Sequence, residues 1–264
     1  FPFSIAAYMR LLTGLAVRRA DLLVALSRFT REELVRYYPA AGGKTVTIYP
    51  GVGSEFRPDG DRVHDQAVLA ALRIPQPYLL VVGNIHPRKN LDRLLGAWQR
   101  LRDARSTTPA MVWVGLDRWG NDRLLEEARA AGVHVAGFAA PAHLPTLYRN
   151  AQALAYPSLY EGFGLPPVEA MACGTPVLTA NTTSLPEAVG EAAVTVDATD
   201  VVALAGGLAR VLFDDPLRSD LRARGLKHAA SLGWDRTAAA LLDALVEGRT
   251  PPDGIVGLAK GLPS

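Results

Sequence analysis

A pair of glutamates brackets a glycine-rich segment in the second half of the chain. Glu161 and Glu169 lie eight positions apart, and Gly162 and Gly164 closely follow the first of them. Glycine frees the backbone to bend tightly and to approach a ligand. Carboxylates are poor partners for phosphate but good acceptors for hydroxyl groups. The segment therefore combines a permissive backbone with two side chains that can bind hydroxyl groups.

The residues around this segment predict a strand, a loop and a helix. Residues 151–156 are mostly apolar, as in a buried strand, and Pro166 and Pro167 suit the first turn of a helix, where a missing N–H costs nothing. A helix start leaves N–H groups unpaired and so favours an anion. Glu169 is expected in that first turn. The alternative is that Glu169 only complements the helix dipole and that Glu161 is solvated.

A second strand-loop-helix junction carries two adjacent cations. Residues 78–83 predict a buried strand, residues 91–102 predict an amphipathic helix, and Arg88 and Lys89 lie in the loop between them. Asn90 is expected to cap the helix. Taken alone, an Arg-Lys pair in a loop is also typical of a solvated surface.

Four loops of interest each follow a predicted strand, at residues 84–90, 116–121, 137–142 and 158–165. In an open α/β sheet, ligands bind beyond the carboxyl ends of the strands, so these loops are expected on one rim. Cations and N–H groups suit a diphosphate, and carboxylates suit ribose and sugar hydroxyls. The rim therefore predicts a site for a nucleoside diphosphate sugar. A dinucleotide is less favoured because no Gly-x-Gly-x-x-Gly motif follows the first strand, and a P-loop is also absent.

The chemistry predicted for such a site is glycosyl transfer. Breaking the bond from sugar to diphosphate builds negative charge on the leaving group, which preorganised donors and cations would stabilise. Arg88 and Lys89 could take the role that a metal ion has in other enzymes, so we expect no metal and no other cofactor. Losing one such charge is expected to raise the barrier by about 2.7–4 kcal/mol, the range for one lost oxyanion donor.

One pair of aspartates has the spacing used by metal-dependent sugar transferases. Asp59 and Asp61 lie within residues 50–61, a stretch rich in proline and glycine. Such a composition is typical of a turn in a link between domains, and a turn is the structure we predict. A short helix is predicted to follow it, over residues 65–73.

Composition narrows the class of protein. The chain of 264 residues is 49% hydrophobic and 20% charged, with a net charge of +2, which is ordinary for a globular protein and gives no support for a nucleic-acid partner. Its one cysteine, Cys173, allows no internal disulfide and indicates a reducing compartment. No apolar run approaches the roughly 20 residues of a membrane-spanning helix.

The glutamate segment resembles a motif of a known enzyme family. The sequence Glu-Gly-Phe-Gly-Leu-Pro-Pro-Val-Glu-Ala-Met-Ala-Cys-Gly-Thr-Pro-Val, which begins at Glu161, resembles the Glu-x7-Glu motif of family 4 of the retaining glycosyltransferases, of the group 1 type. Gly83 and residues 87–91 resemble its diphosphate loop, residues 20–30 its last acceptor-domain strand and helix, and residues 234–246 its C-terminal helix. The similarity covers about residues 18–247.

The resemblance implies an α/β protein of the GT-B fold. It implies a complete C-terminal Rossmann-like donor domain and only the last part of an N-terminal Rossmann-like domain, so we expect a fragment or an N-terminally truncated chain. The predicted parts are a remnant of the acceptor domain at 1–50, a linker at 51–61, the nucleotide-sugar domain at 62–232, a helix crossing back at 233–248 and a mobile tail at 249–264.

The resemblance also implies roles for individual residues. Lys89 with Arg88 would clamp the diphosphate, Glu161 would meet the donor sugar near its 3-hydroxyl, and Glu169 would hold the ribose hydroxyls. The first three of these are the implied catalytic residues. The other implied donor-binding positions are Gly162, Phe163, Gly164 and Leu165 through their backbone, Gly83 and Asn84 after the first strand, and Gly137 and Phe138 near the base. Many members carry Arg where this chain has Asn84, so we expect either that Arg88 compensates or that the clamp is weaker.

The implied function is transfer of a hexose to an acceptor with retention of configuration, in polysaccharide or glycolipid biosynthesis. The Pro-Arg-Lys-Asn form looks most like bacterial mannosyltransferases that use GDP-mannose. The implied partners are a nucleotide-sugar donor and a sugar or lipid-linked acceptor. We expect a cytoplasmic protein with peripheral contact at the inner face of the membrane through the missing N-terminal domain. The alternative is a non-catalytic sugar-nucleotide-binding fragment that needs a partner for the acceptor half. A third reading, a sugar-nucleotide epimerase, lacks an added acid or base residue near the loops.

Residues 1–264 alone are predicted to bind nucleotide sugars and to show weak or no transfer, because most of the acceptor half is absent from this sequence. A transfer assay with candidate acceptors measures this. Robust transfer to any of them by residues 1–264 would contradict the prediction.

Overall fold

Helices and strands alternate along the chain, as the sequence predicts. The computed structural model describes residues 3–117 and 120–247, and the predicted tail at 249–264 lies outside these ranges. The helices within them are α1 (Phe3–Arg19), α2 (Arg28–Tyr37), α3 (Arg62–Ala71), α4 (Leu91–Ala104), α5 (Asp122–Ala130), α6 (Leu144–Arg149), α7 (Leu165–Ala172), α8 (Leu185–Val189), α9 (Val201–Phe213), α10 (Asp215–Ala229) and α11 (Trp234–Glu247). The strands are β1 (Leu23–Ala25), β2 (Thr45–Thr47), β3 (Tyr78–Val82), β4 (Ala110–Val114), β5 (His134–Gly137), β6 (Ala153–Tyr156), β7 (Val177–Ala180) and β8 (Val194–Val196).

These elements form two compact units. The larger unit is Val52–Ser231, and the smaller unit combines the described residues before it, 3–51, with those after it, 232–247. The larger unit holds a six-stranded sheet in the order β5-β4-β3-β6-β7-β8, in which every neighbouring pair is parallel. All residues of β3, β6 and β7 are buried, which is why their sequences are continuous apolar runs rather than alternating ones.

The strand order reverses between β3 and β6. The chain runs from β3 outward to β4 and β5, and then returns to place β6 on the other side of β3. Because these two adjacent strands lead into connections on opposite sides, a crevice opens beyond their carboxyl ends. This switch point receives the loop with Arg88 and Lys89 from one side and the glycine-rich loop from the other.

Helix α4 shows how the sequence pattern becomes packing. Its apolar stripe is buried, as the period of 3.6 residues predicts, at Leu91, Leu94, Leu95, Ala97, Trp98 and Leu101. The indole N–H of Trp98 donates to the carbonyl oxygen of Pro109 at 3.1 Å, so the large ring is buried without an unpaired donor. The helix packs on α9, which is capped by Asp200 through the N–H groups of Val202 and Ala203.

The smaller unit is built on the parallel pair β1 and β2. Ser27 caps α2, as predicted, because its Oγ accepts from the N–H of Thr30 at 3.0 Å. Helix α11 covers β2 through a cluster of Val46, Ile48, Ala240 and Ala244. Among the described residues, no helix combines the length and apolar character needed to cross a bilayer.

The start of α3 differs from the prediction. We expected a turn at Asp59 and Asp61 ahead of a helix beginning at Asp65, but the helix begins at Arg62. Asp61 is its N-cap, since Oδ1 accepts from the N–H groups of Val63 at 2.8 Å and His64 at 3.3 Å. Within residues 3–117 and 120–247, no group of three or more His, Cys, Asp or Glu side chains could hold a metal ion.

The earlier helix start leaves Asp65 inside the fold, in a network that joins α3 to α6. Arg149 binds both carboxylate oxygens of Asp65 at 2.8 Å, and Thr146 and Asn150 donate to the same carboxylate at 2.8 and 3.0 Å. The hydrogen bond from Arg149 holds the pKa of Asp65 well below its usual value, against the opposing effect of burial. The network therefore fixes the helix that precedes β6 and its loop.

Replacing Asp65 with Asn should destabilise the larger unit by about 3–5 kcal/mol at pH 7, because a buried guanidinium loses its partner. The folded-state pKa of Asp65 is lowered, so its contribution is complete above the unfolded value of about 3.9 and is lost as the pH falls from there through the folded-state pKa. Urea unfolding between pH 7 and pH 3 measures both effects.

The control for this substitution is Glu127→Gln. It removes the partner of Arg123 in an exposed pair on α5, for which we expect no measurable loss of stability. The gap between wild type and Asp65→Asn should narrow in acid. A gap that stays constant would show that the carboxylate is not the stabilising group.

Candidate active site

Two loops meet at the switch point through one carboxylate oxygen. Glu161 Oε1 accepts from Lys89 Nζ at 2.7 Å and from Arg88 Nη1 at 2.5 Å. The hydroxyl of Tyr156 donates to the same oxygen at 3.0 Å and accepts from Lys89 Nζ at 2.5 Å. The structure therefore brings together the three residues that the sequence analysis named as catalytic, although more than 70 positions separate the cations from the carboxylate.

The charges of this cluster are largely removed from water. Lys89 is 7% exposed and Glu161 is 9% exposed, whereas the side chain of Arg88 is 43% exposed. Burial lowers the pKa of Lys89, and the carboxylate of Glu161 only partly opposes this effect. Burial raises the pKa of Glu161, but Lys89 and Arg88 outweigh it and bring the net pKa below its usual value. Glu161 is accordingly an ionised acceptor at neutral pH.

The side chain of Asn90 links loops at the crevice by hydrogen bonds and does not cap α4. Its backbone is left-handed, with φ of 59°, and its side chain makes no capping bond, so that prediction is wrong. The amide nitrogen donates to the carbonyl oxygen of Pro157 at 3.3 Å and to that of Ala198 at 2.6 Å. The backbone adds a second link, because the N–H of Leu159 donates to the carbonyl oxygen of Arg88 at 2.7 Å. Loops after β3, β6 and β8 are thus held together.

A short 3₁₀ helix at Pro87–Lys89 orients the two cations. The ring of His86 accepts from the N–H of Arg88 at 3.1 Å, and the N–H of Lys89 donates to the carbonyl oxygen of His86 at 2.8 Å. The N–H of Asn90 is also used, on Pro87. The N–H groups of Arg88, Lys89 and Asn90 are thus used within the loop, so an anion arriving there would meet the side-chain cations. His86 is a structural acceptor, and burial together with the adjacent cations lowers its pKa.

The crevice continues as a small hollow between the ends of β3 and β6. Its lining is Val81, Val82, Gly83, Lys89, Leu91, Ala155, Tyr156, Pro157 and Ser158. Gly83 has a φ of 130°, and a Cβ on it would lie 3.2 Å from Cε of Lys89. Glycine is therefore needed here both for the backbone conformation and for the room that Lys89 occupies. Asn84 follows it as an exposed residue.

The glycine-rich loop is held by the residues that precede α8. The hydroxyl of Ser184 donates to the carbonyl oxygens of Glu161 at 2.9 Å and Phe163 at 3.0 Å. Gly164 has a φ of 108°, and a Cβ there would come within 2.7 Å of the side chain of Leu185. The loop can pass this close to α8 only with glycine at that position.

The start of α7 offers fewer donors than the sequence predicted. Leu165 is its first residue, and Pro166 and Pro167, which come next, carry no N–H. The donors that this helix start retains are the N–H groups of Gly164 and Leu165. Glu169 lies in the second turn and not in the first, so its position does not depend on the helix dipole.

Glu169 is partly buried against α6. Its Oε2 accepts from the hydroxyl of Tyr148 at 2.8 Å. Burial raises the pKa of Glu169, the hydrogen bond from Tyr148 lowers it in part, and the negative charge of Glu55 raises it further. Cys173, which follows the end of the same helix, is buried, and burial raises the pKa of its thiol to about 12, which makes it unreactive.

Two of the predicted donor-binding residues lie away from the charged cluster. Gly137 is the last residue of β5 and Phe138 follows it, and β5 is an edge strand separated from β3 by β4. Phe138 is 63% exposed. The loop after β4 lies nearer, because the side-chain amide of Asn121 donates to the carbonyl oxygen of Ile85 at 3.1 Å.

Neither of the two tyrosines that bind the glutamates was predicted from the sequence as a site residue. Tyr156 carried a signal, since it is a polar group at the carboxyl end of an apolar strand, directly before the loop. Tyr148 carried none, because nothing in the sequence of α6 indicates which side chain faces Glu169.

A doubly wound parallel sheet with a charged crevice at its switch point is the architecture of the Rossmann-like donor domain of GT-B glycosyltransferases. A family model described as "Glycosyl transferases group 1" matches residues 70–228. The chain belongs to this family, and the resemblance seen in the sequence is confirmed at that level.

Curated relatives and solved structures agree with the assignment. The chain is 34% identical over 230 residues to O-antigen chain mannosyltransferase B of Escherichia coli, covering 85% of this chain and 60% of that protein. It is 37% identical over 257 residues to D-inositol 3-phosphate glycosyltransferase of Salinispora tropica, covering 89% of this chain and 53% of that protein. The chain thus spans somewhat more than half the length of these relatives.

The fold is similar to that of Anabaena HepE, whose structure was solved in complex with UDP-glucose. The TM-score is 0.78 at 19% identity, over 90% of this chain and 67% of that one. At this identity the likeness establishes the fold, which is α/β and of the GT-B type.

Replacing Glu161 with Gln should destabilise the larger unit by about 3 kcal/mol at neutral pH, because it leaves the buried ammonium of Lys89 without a carboxylate. The double variant Lys89→Met with Glu161→Gln should recover much of this loss, since both buried charges are then gone. Urea unfolding of the wild type, the two single variants and the double variant gives the coupling energy. A coupling energy near zero would mean that the pair contributes nothing to the fold.

Proposed function

We propose that this chain binds a nucleoside diphosphate sugar at the switch point and forms the donor half of a retaining glycosyltransferase. The hexose is expected to be mannose, carried by GDP, and the acceptor a sugar or a lipid-linked sugar. The observation that carries the proposal is the contact between Arg88, Lys89 and Glu161, which joins the loops after β3 and β6 at the crevice.

Binding of the diphosphate is assigned to the two cations. Lys89 is buried and held by Glu161 and Tyr156, so its ammonium is fixed before a ligand arrives. Arg88 is nearly half exposed, and its guanidinium has donors to spare after its bonds to Tyr160 and Glu161. When the bond to the sugar breaks, both cations would stabilise the charge that develops on the leaving diphosphate. No metal is needed for that role in this proposal.

Binding of the hydroxyl groups is assigned to the two glutamates. Glu161 is an ionised acceptor beside the cations, which suits a hydroxyl of the donor sugar close to the diphosphate. Glu169 lies one loop and one helical turn further along, on α7, and suits the ribose. Between them, the backbone of Gly162, Phe163, Gly164 and Leu165 would approach the sugar and the phosphates.

The choice of donor rests on similarity. The first relatives named above include a mannosyltransferase, and the HepE structure holds UDP-glucose. The mannosyltransferase relative and the Pro-Arg-Lys-Asn sequence in the cation loop both support GDP-mannose over the uridine nucleotides. Retention of configuration is part of the proposal through the family resemblance.

Titration of the chain by calorimetry with GDP-mannose, UDP-glucose and UDP-N-acetylglucosamine should give the tightest binding for GDP-mannose. Lys89→Ala and Glu169→Ala should each weaken binding of the preferred donor by at least about tenfold, because each removes a charged hydrogen-bonding group.

Matched controls are Lys227→Ala on α10 and Glu191→Ala before β8, two exposed residues of the same types. Both should bind like the wild type. If Lys89→Ala and Glu169→Ala also leave binding unchanged, the site assignment is wrong. If a uridine nucleotide binds best, the site stands and the donor assignment fails.

A further inference from the structure

We propose that Tyr156 and Tyr148 are positioning residues, each of which holds one of the two glutamates in the orientation that binds the donor. The inference rests on the proposed function, because it concerns how that site is kept in shape. Neither tyrosine would touch the reacting atoms. Each would act through the carboxylate to which its hydroxyl is bound.

Tyr156 sits between the two charges of the cluster. Its hydroxyl accepts from Lys89 Nζ at 2.5 Å and donates to Glu161 Oε1 at 3.0 Å. Lys89 also lies 4.2 Å from the centre of the Tyr156 ring. The residue itself is fixed by β6, since Thr179 on the neighbouring strand donates to its carbonyl oxygen at 2.9 Å. The hydroxyl thus fixes the positions of Lys89 Nζ and Glu161 Oε1.

Tyr148 has the corresponding place beside Glu169. Its side chain is fully buried, and its hydroxyl donates to Oε2 at 2.8 Å. The ring packs against Phe56, and Thr175 donates to the backbone carbonyl oxygen at 2.6 Å, so the tyrosine cannot follow the glutamate if the glutamate moves. An ionised carboxylate has about four acceptor sites. One hydrogen bond from a rigid donor fixes its rotamer and leaves the remaining sites for hydroxyls of a ligand.

Both phenols remain protonated donors over the working pH range, because burial raises the pKa of each well above its usual value. A third buried tyrosine provides the comparison. Tyr78 donates to the carbonyl oxygen of Leu147 at 2.7 Å and stands at the first position of β3, at the opposite end of the strand from the crevice. It has the same burial and the same kind of hydrogen bond, but no glutamate.

The role of Tyr148 predicts a pH dependence that a purely structural role does not. The groups that shift the pKa of Glu169 are Tyr148 and Glu55, and the nearby thiol of Cys173 stays neutral because its own pKa is raised. Of these, only Tyr148 stabilises the ionised form. Removing its hydroxyl raises the pKa of Glu169 further, so the carboxylate would be lost as an acceptor at a higher pH. Binding should then weaken on acidification earlier than in the wild type.

The test compares Tyr148→Phe, Tyr156→Phe and Tyr78→Phe, which all keep the ring. Calorimetry with GDP, GDP-mannose, UDP and UDP-glucose between pH 5 and pH 8 is the measurement, after circular dichroism has confirmed folding. For the nucleotide that binds the wild type, Tyr148→Phe should weaken the diphosphate and its sugar equally, by about tenfold, and shift the acid limb to higher pH. Tyr156→Phe should weaken the nucleotide sugar more than the diphosphate. Tyr78→Phe should change neither.

A double variant separates action through Glu169 from a general loss of stability. In a Glu169→Ala background, the further change Tyr148→Phe should have no effect on affinity or on the pH profile. Binding by both site variants that equals binding by Tyr78→Phe would overturn the inference and leave the proposed function standing. A wild type that binds none of the four nucleotides would overturn both. If either Tyr148→Phe or Tyr156→Phe does not fold, binding by the other variant, compared with Tyr78→Phe, decides whether the inference holds.

Discussion

The arrangement of the site depends on one carboxylate oxygen that receives two cations and a phenol. Placing Lys89 and Glu161 in the interior removes both charges from water, which costs several kcal/mol for each ion unless they find each other. Their mutual bond offsets that cost only if the loops after β3 and β6 keep their present positions. The ion pair therefore links the electrostatics of the crevice to the order of the strands, because only adjacency of β3 and β6 brings the two loops within reach.

Glycines, and hydrogen bonds from side chains to the backbone, also fix the positions of these loops. Gly83 leaves the volume that Lys89 fills, and Ser184 holds the loop that presents Glu161. Further from the crevice, the buried pair of Asp65 and Arg149 fixes α6, from which Tyr148 reaches Glu169. The two glutamates are thus supported by different parts of the fold. A change in one support is not expected to disturb the other glutamate directly.

The sequence was informative where a residue type has only one structural use. Apolar runs and helical stripes predicted the strands and helices of the larger unit, and the resemblance placed Arg88, Lys89 and Glu161 in one site before any distance was known. The start of α3 was misplaced because Asp61 can begin a turn or cap a helix, and only the buried partners of Asp65 decide between them. Asn90 was misread for a similar reason, since an asparagine before a helix usually caps it, and its true partners, Pro157 and Ala198, are 67 and 108 positions away. The tyrosines escaped notice because long-range contacts of that kind leave no local pattern.

The tether at Asn90 bears on how a ligand would enter. The loops after β3, β6 and β8 are linked by one side-chain amide, so they cannot move independently. The crevice therefore has its shape before a ligand binds. Association with a preorganised cavity carries a smaller loss of conformational entropy than association that must order its own loops. A ligand should accordingly bind here without rearrangement of the loops. Its affinity would then reflect the complementarity between ligand and crevice, with little free energy spent on ordering the loops.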